Sequence, residues 1–224
     1  MNTMLRRTAN RVLAGVLGLA LGVAQAQRSD TALVDAAQRG DLARVRALLD
    51  AGSAIEQRDG RGRTPLLAAT DGKQLAVALL LIERGADVNA QDQQRDSAFL
   101  LAGARGHTEI LRATLAAGAD LASTNRYGGT ALIPACHYGH VETVRVLLGT
   151  RIDVDHVNNL GWTALLEAVI LGDGGPVHAE IVRLLIGAGA KLELADRDGV
   201  TPLQHAVRRG QVQVAGLLRS AGAR

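Results

Sequence analysis

Residues 64–89 read TPLLAATDGKQLAVALLLIERGADVN. Thr64 suits a helix N-cap, where its hydroxyl accepts a hydrogen bond from a first-turn N–H that has no partner inside the helix. Pro65 then fits the first helical position, which needs no N–H. A short Ala-rich helix covers Leu66 to Thr70. A second, Leu-rich helix follows, and Gly85-Ala86-Asp87 breaks it.

The same opening recurs along the chain. A hydroxyl residue, a small or cyclic one and a bulky apolar one stand together at Thr31-Ala32-Leu33, Thr64-Pro65-Leu66, Ser97-Ala98-Phe99, Thr130-Ala131-Leu132, Thr163-Ala164-Leu165 and Thr201-Pro202-Leu203. The starts are 33 residues apart four times and 38 apart once. Twenty-one residues after a start come Gly52, Gly85, Gly118, Arg151 and Gly222; the fifth unit reaches Gly189 after 26. A fixed period of this size is the signature of a stacked repeat array. Gly40, Gly106, Gly139, Gly172 and Gly210 are expected to end the first helices in the left-handed conformation. Second helices such as Glu109 to Ala116 and Glu142 to Leu148 have apolar positions three and four apart, as in Ile110, Leu111, Thr114 and Leu115.

These features resemble the ankyrin repeat family. The resemblance rests on the TPL openings, the pairs Gly106-His107 and Gly139-His140, the Leu-rich second helix and Gly85-Ala86-Asp87-Val88-Asn89. It covers Thr31 to Arg224. It implies an all-α solenoid of six helix-turn-helix units with short β-hairpin fingers, forming one domain over 27–224. One unit cannot bury its apolar face alone, so the array folds as a neighbour-dependent whole.

Four departures from the pattern carry expectations. Arg151 replaces a glycine after a second helix, and a non-glycine in the left-handed region costs about 1–2 kcal/mol, so the backbone there should be reshaped. Arg95 replaces the finger-turn glycine, so that tip should differ. Pro134 removes a backbone donor near the start of the fourth unit's first helix. Asp173-Gly174-Gly175-Pro176-Val177-His178 holds the five-residue insertion and should be an exposed loop.

Composition agrees with this architecture. Of 224 residues, 47% are hydrophobic, which argues against global disorder. Only 2% are aromatic: one Trp, two Tyr and one Phe. The core must be Ala, Leu, Val and Ile, which favours closely spaced helices over a β-sandwich. The single cysteine, Cys136, excludes an internal disulfide framework and a cysteine-based zinc site. It stands in a small-residue helix column, where it should be buried and inert.

The net charge of +3 comes from the first 26 residues, which hold Arg6, Arg7 and Arg11 and no acid. The other 22 basic residues balance the 22 acidic ones. That balance removes the main reason to expect a nucleic-acid partner. The same 26 residues have the layout of a cleaved secretory signal: a positive start, the apolar run Val12 to Val23, and Ala24-Gln25-Ala26 before the cleavage point. The expected location is the periplasm or beyond, with no membrane contact after cleavage and a monomeric state. A membrane-spanning helix needs about 20 apolar residues. The alternative is an uncleaved segment that tethers an adaptor to the membrane.

The search for chemistry yields no catalytic constellation and implies no cofactor. His107 and His140 occupy the family's glycine-histidine column, where histidine stabilises the inter-helix loop. His137 and His140 make a weak H-x-x-H pair without a third ligand; a metal-dependent or small-molecule hydrolytic role there is the alternative function. Asp153, Asp155 and Asn158 lack the spacing of a calcium loop.

In the ankyrin family the finger tips and the ends of the first helices line the concave face that meets partners. Arg126, Tyr127 and Leu160 fall at finger tips. His137, Tyr138, Ile170 and Leu171 fall at first-helix ends, and Trp162 precedes the fifth start. Apolar and aromatic residues gathered on one surface point to a binding site. The expected function is therefore a non-enzymatic scaffold whose concave face binds another exported protein and stabilises, inhibits or neutralises it. Against this stands the option that Ile170, Leu171 and Trp162 pack under the inserted loop, with Val177 covering Leu171. Phe99 takes an ordinary core column.

Overall fold

The computed structural model describes residues 31–224. The export signal read at 1–26 lies outside the described residues. Among the described residues there are twelve helices and no strand. They form six pairs: α1 (Ala32–Arg39) with α2 (Leu42–Asp50), α3 (Pro65–Asp71) with α4 (Leu75–Glu83), and α5 (Ala98–Arg105) with α6 (Thr108–Ala116). Next come α7 (Leu132–His137) with α8 (Val141–Leu148), α9 (Ala164–Ile170) with α10 (Pro176–Gly187), and α11 (Pro202–Arg208) with α12 (Val212–Ser220). The main contacts run within a pair and between like helices of adjacent pairs.

The repeat register sets the core. Leu33, Leu66, Phe99, Leu132, Leu165 and Leu203 are all buried, as are Val45, Ala78, Leu111, Val144, Val182 and Ala215 on the second helices. These columns join into one continuous apolar cluster along the array. Burying each Leu, Val or Phe of these columns stabilises the fold by about 1.5–3 kcal/mol, and each Ala by less.

Caps follow the sequence in four units of six. Thr64, Ser97, Thr163 and Thr201 accept from the backbone N–H of Leu67, Leu100, Leu166 and Gln204. Thr31 makes no such bond. Thr130 does not cap either, and Pro134 explains why. In neighbouring units the N–H at that position bonds back to the capping residue, as Ala68 does to Thr64 and Leu101 to Ser97. Proline has no N–H to give. Helix α7 starts only at Leu132, and the Thr130 hydroxyl is sealed without a partner.

Two expectations about left-handed residues need correction. Gly40, Gly106, Gly139 and Gly210 take positive φ between 66° and 77°, but Gly172 does not; Gly174, with φ 70°, takes over inside the insertion. Arg95 does not alter its finger tip. It adopts φ 59°, close to the glycines Gly62, Gly128, Gly161 and Gly199 in the same column. The finger closes as the others do, with Asp92 N–H donating to the Asp96 carbonyl at 3.0 Å. The strain therefore persists. Arg95→Gly should raise the unfolding free energy by up to about 1 kcal/mol, relief of strain being partly offset by a more flexible unfolded chain. Urea denaturation checks this; a loss of stability would show that the Arg95 side chain outweighs its backbone strain.

At Arg151 the backbone is reshaped, as expected: the residue avoids positive φ. The Thr150 hydroxyl donates to the Leu147 carbonyl at 2.6 Å and accepts from the Ile152 N–H at 3.1 Å. It bridges two groups that would otherwise face each other across the helix end. The insertion is only half a loop. Pro176, Val177 and His178 extend α10 to 12 residues, with Pro176 at the first helical position.

Candidate functional site

Each finger is built around one Asx side chain. Asp59, Asp92, Asn125, Asn158 and Asp196 each turn Oδ1 toward two backbone N–H groups, two and four residues on. The short side chain mimics a backbone turn and fixes the tip. The first four of these fingers are joined by single backbone bonds, including Arg126 N–H to the Gln94 carbonyl and Asn159 N–H to the Tyr127 carbonyl, and the last is joined by the Arg197 side chain donating to the Asn159 carbonyl. The β-hairpin expectation thus becomes a row of linked tight turns without strands among the described residues.

The ends of the first helices are held by a second column. The His140 Nε2 lies 3.2 Å from the Ala104 carbonyl, and the His178 Nε2 lies 2.9 Å from the His137 carbonyl. In the last unit Gln211 does the same work, donating to the carbonyls of Val169 and Gly172. His178 also meets Asp173 at 2.9 Å through Nδ1. The insertion is thereby tied to the preceding unit, and His178 serves the role of His140 displaced by five residues.

Between these two supports, repeats three to five form a concave groove of about 900 Å³. Arg126, Tyr127, His137, Tyr138, Leu160 and Leu171 line it. Tyr127 is 53% exposed, Tyr138 60%, Leu160 49% and Leu171 42%. Val177 is itself exposed and does not cover Leu171. Trp162 and Ile170 are half-buried and lie outside the groove lining. The Arg126 guanidinium sits 4.6 Å from the Tyr127 ring centre, donates to the Tyr127 hydroxyl and contacts the Gln94 side chain. Tyr138 stacks on His137 with ring centres 4.2 Å apart. These contacts hold the aromatic groups in place at the rim.

The groove also contains a residue that the sequence reading did not single out. Glu167 of α9 has a side chain only 8% exposed. Its Oε1 accepts from Asn158 Nδ2 at 3.0 Å, and its Oε2 stands 3.7 Å from His137 Nδ1. Burial pushes the carboxyl pKa up to about 7, against the opposing pull of the Asn158 bond. Burial, and then the neighbouring His178, lowers the His137 pKa. Asp96, at the other end of the groove, is also raised, by burial and then by Asp92. The signal for Glu167 was weak: its column holds Ala68, Leu101 and Pro134 in the three preceding units but Asp35 in the first and His205 in the last.

The remaining candidates are committed to structure. Asp153 accepts from the Asp155 N–H, Asp155 from the Lys191 N–H, and Asn158 from its own finger. His137 and His140 serve different neighbours, Glu167 and the Ala104 carbonyl. Among the described residues no three His, Cys, Asp or Glu side chains are grouped to hold a metal ion. Cys136 is fully buried, and burial drives its thiol pKa upward, away from the reactive thiolate. Among the described residues no helix is long and apolar enough to cross a membrane.

Comparison with known proteins matches this geometry. A family model described as ankyrin repeats (3 copies) matches residues 10–92, 99–196 and 153–224. An ankyrin repeat domain from Acinetobacter baumannii AYE, ABAYE2397, is 54% identical and superposes with a TM-score of 0.83, covering 87% of this chain and 99% of that one. The complex of the predatory endopeptidase Bd0816 from Bdellovibrio bacteriovorus with the immunity protein Bd3460 contains a chain that is 26% identical, with a TM-score of 0.73 and coverage of 84% and 97%. The putative ankyrin repeat protein YahD of Escherichia coli (strain K12) is 47% identical over 57 residues, which span 25% of this chain and 28% of YahD.

Proposed function

Because the chain belongs to the ankyrin repeat family, whose members are generally non-enzymatic binding scaffolds, we propose that it is a periplasmic scaffold gripping another exported protein in the groove of repeats three to five. The observation that carries this reading is the placement of Tyr127, Tyr138, Leu160 and Leu171, all exposed, around one concavity on rigid supports. Such a surface loses little conformational freedom on binding, so more of the contact energy appears as affinity. Export is supported by the signal-like segment 1–26. The endopeptidase–immunity protein complex, which includes a similar chain, supports a partner that is an exported enzyme held in check or a toxin neutralised. Binding as a monomer is part of the same proposal.

The test is capture of exported proteins by the immobilised protein, followed by affinity measurement with the captured partner. Tyr127→Ala and Tyr138→Ala should each weaken binding about thirtyfold, the loss typical of a 2 kcal/mol aromatic anchor. Full affinity in both variants, with folding verified by circular dichroism, would remove the groove as the gripping surface.

A further inference from the structure

We infer that the segment entering the groove carries a lysine or arginine side chain whose cationic head meets Glu167. This rests on the groove being the gripping surface and adds what that surface selects.

The first support is the state of the carboxylate. Glu167 is more than nine-tenths buried, lines the groove, and has one hydrogen bond, from Asn158 to Oε1. Its Oε2 lies 3.7 Å from His137, beyond hydrogen-bond distance. Among the described residues no lysine or arginine pairs with it. A buried carboxylate without a cation costs stability; the same column is Ala68, Leu101 and Pro134 in the three units before it, and the acid it holds in the first unit, Asp35, is exposed.

The second support is that the groove's own cations are engaged elsewhere. Arg105 pairs with Asp71 at 3.2 Å. Arg126 is held by Gln94 and Tyr127. Neither is free to pair with Glu167, so the site is open to a cation brought by a partner. Finally, the walls fit the rest of such a side chain. Leu160 and Leu171 offer apolar surface to its methylene stem. Tyr138, exposed and stacked on His137, offers a ring face to its head.

The probe is a random 12-residue peptide library displayed on phage, selected in parallel on the wild-type protein, on Glu167→Gln and on the Tyr127→Ala/Tyr138→Ala double variant. Wild type should enrich peptides with one lysine or arginine flanked by apolar residues. Glu167→Gln should keep the apolar preference and lose the basic one. Replacing that basic residue by norleucine in a selected peptide should weaken binding to wild type about thirtyfold. Binding to Glu167→Gln should change by no more than about threefold. The peptide substitution uses the unaltered protein, so the result stands even if Glu167→Gln folds poorly. Enrichment without a basic residue, or equal basic enrichment on Glu167→Gln, overturns the inference and leaves the groove as a binding surface. Selection that ignores the two tyrosines overturns both.

Discussion

Phe99→Ala should lower the unfolding free energy by about 3–5 kcal/mol. Phe99 is fully buried in the same cluster as Leu66 and Leu132, which hold its column in the units on either side. Truncation removes the transfer energy of the ring and leaves a void that two neighbouring units must share. The other five units carry leucine in this column. Phe99→Leu therefore restores the common residue, yet the surrounding side chains are spaced for a ring, and it should still cost about 1 kcal/mol. In a one-dimensional array each unit is stabilised by its neighbours. A defect in the third unit weakens coupling between the two ends, so unfolding of Phe99→Ala should broaden as well as shift. Urea titration followed by circular dichroism reads both effects. A loss under about 1.5 kcal/mol would mean that the site collapses around the cavity.

Glu167→Gln should act in the opposite direction, and only above acidic pH. The Glu167 pKa is raised in the folded state, to about 7 from 4.5. The folded protein then holds a proton that the unfolded chain releases. Stability must fall as pH rises from the unfolded value toward 7, and the full cost persists above it. A shift of this size corresponds to a penalty of about 3 kcal/mol at pH 8. The side chain is shielded but borders the open groove, so solvent screening reduces this penalty. Glutamine mimics the protonated acid and keeps an oxygen for Asn158 Nδ2 to bond. The variant should match wild type at pH 4 and exceed it by about 1–3 kcal/mol at pH 8. Equal stability at both values would show that Glu167 is ionised without penalty. A binding group that weakens the fold carrying it is a common exchange of stability for function.

The two responses separate what the sequence revealed from what it hid. Phe99 was legible because its column repeats: period alone placed the helices, the buried face and four of the six caps. The repeat also framed the places where chemistry overrides it. Pro134 was visibly a missing donor, but its effect on Thr130 required knowing that the lost bond closes the cap. Arg95 kept the finger conformation that its neighbours reach through glycine, because Asp92 and the linked turns fix the tip regardless of the residue there. Glu167 was harder to read: its column holds Ala68, Leu101 and Pro134 in the three units before it but Asp35 in the first unit and His205 in the last, so the charge did not stand out from the repeat. His178 could have been found by counting. It lies 38 residues after His140, the same displacement that separates Thr201 from Thr163. Trp162 and Ile170 stand outside the lining although the same columns line it in the two preceding units, as Asp96 and Gly129 and as Ala104 and His137; how far the groove extends along the array is what spacing alone does not resolve.

The Asx column has one more consequence. In each finger the clamping oxygen and the turn residue set the loop, while the two amino acids between them contribute only backbone groups to the clamp and leave their side chains out of it: Arg126-Tyr127 in one, Asn159-Leu160 in the next. Those pairs behave as interchangeable cassettes in a fixed holder. A lineage carrying this holder can retarget itself by point changes at the tips, without renegotiating how the chain folds.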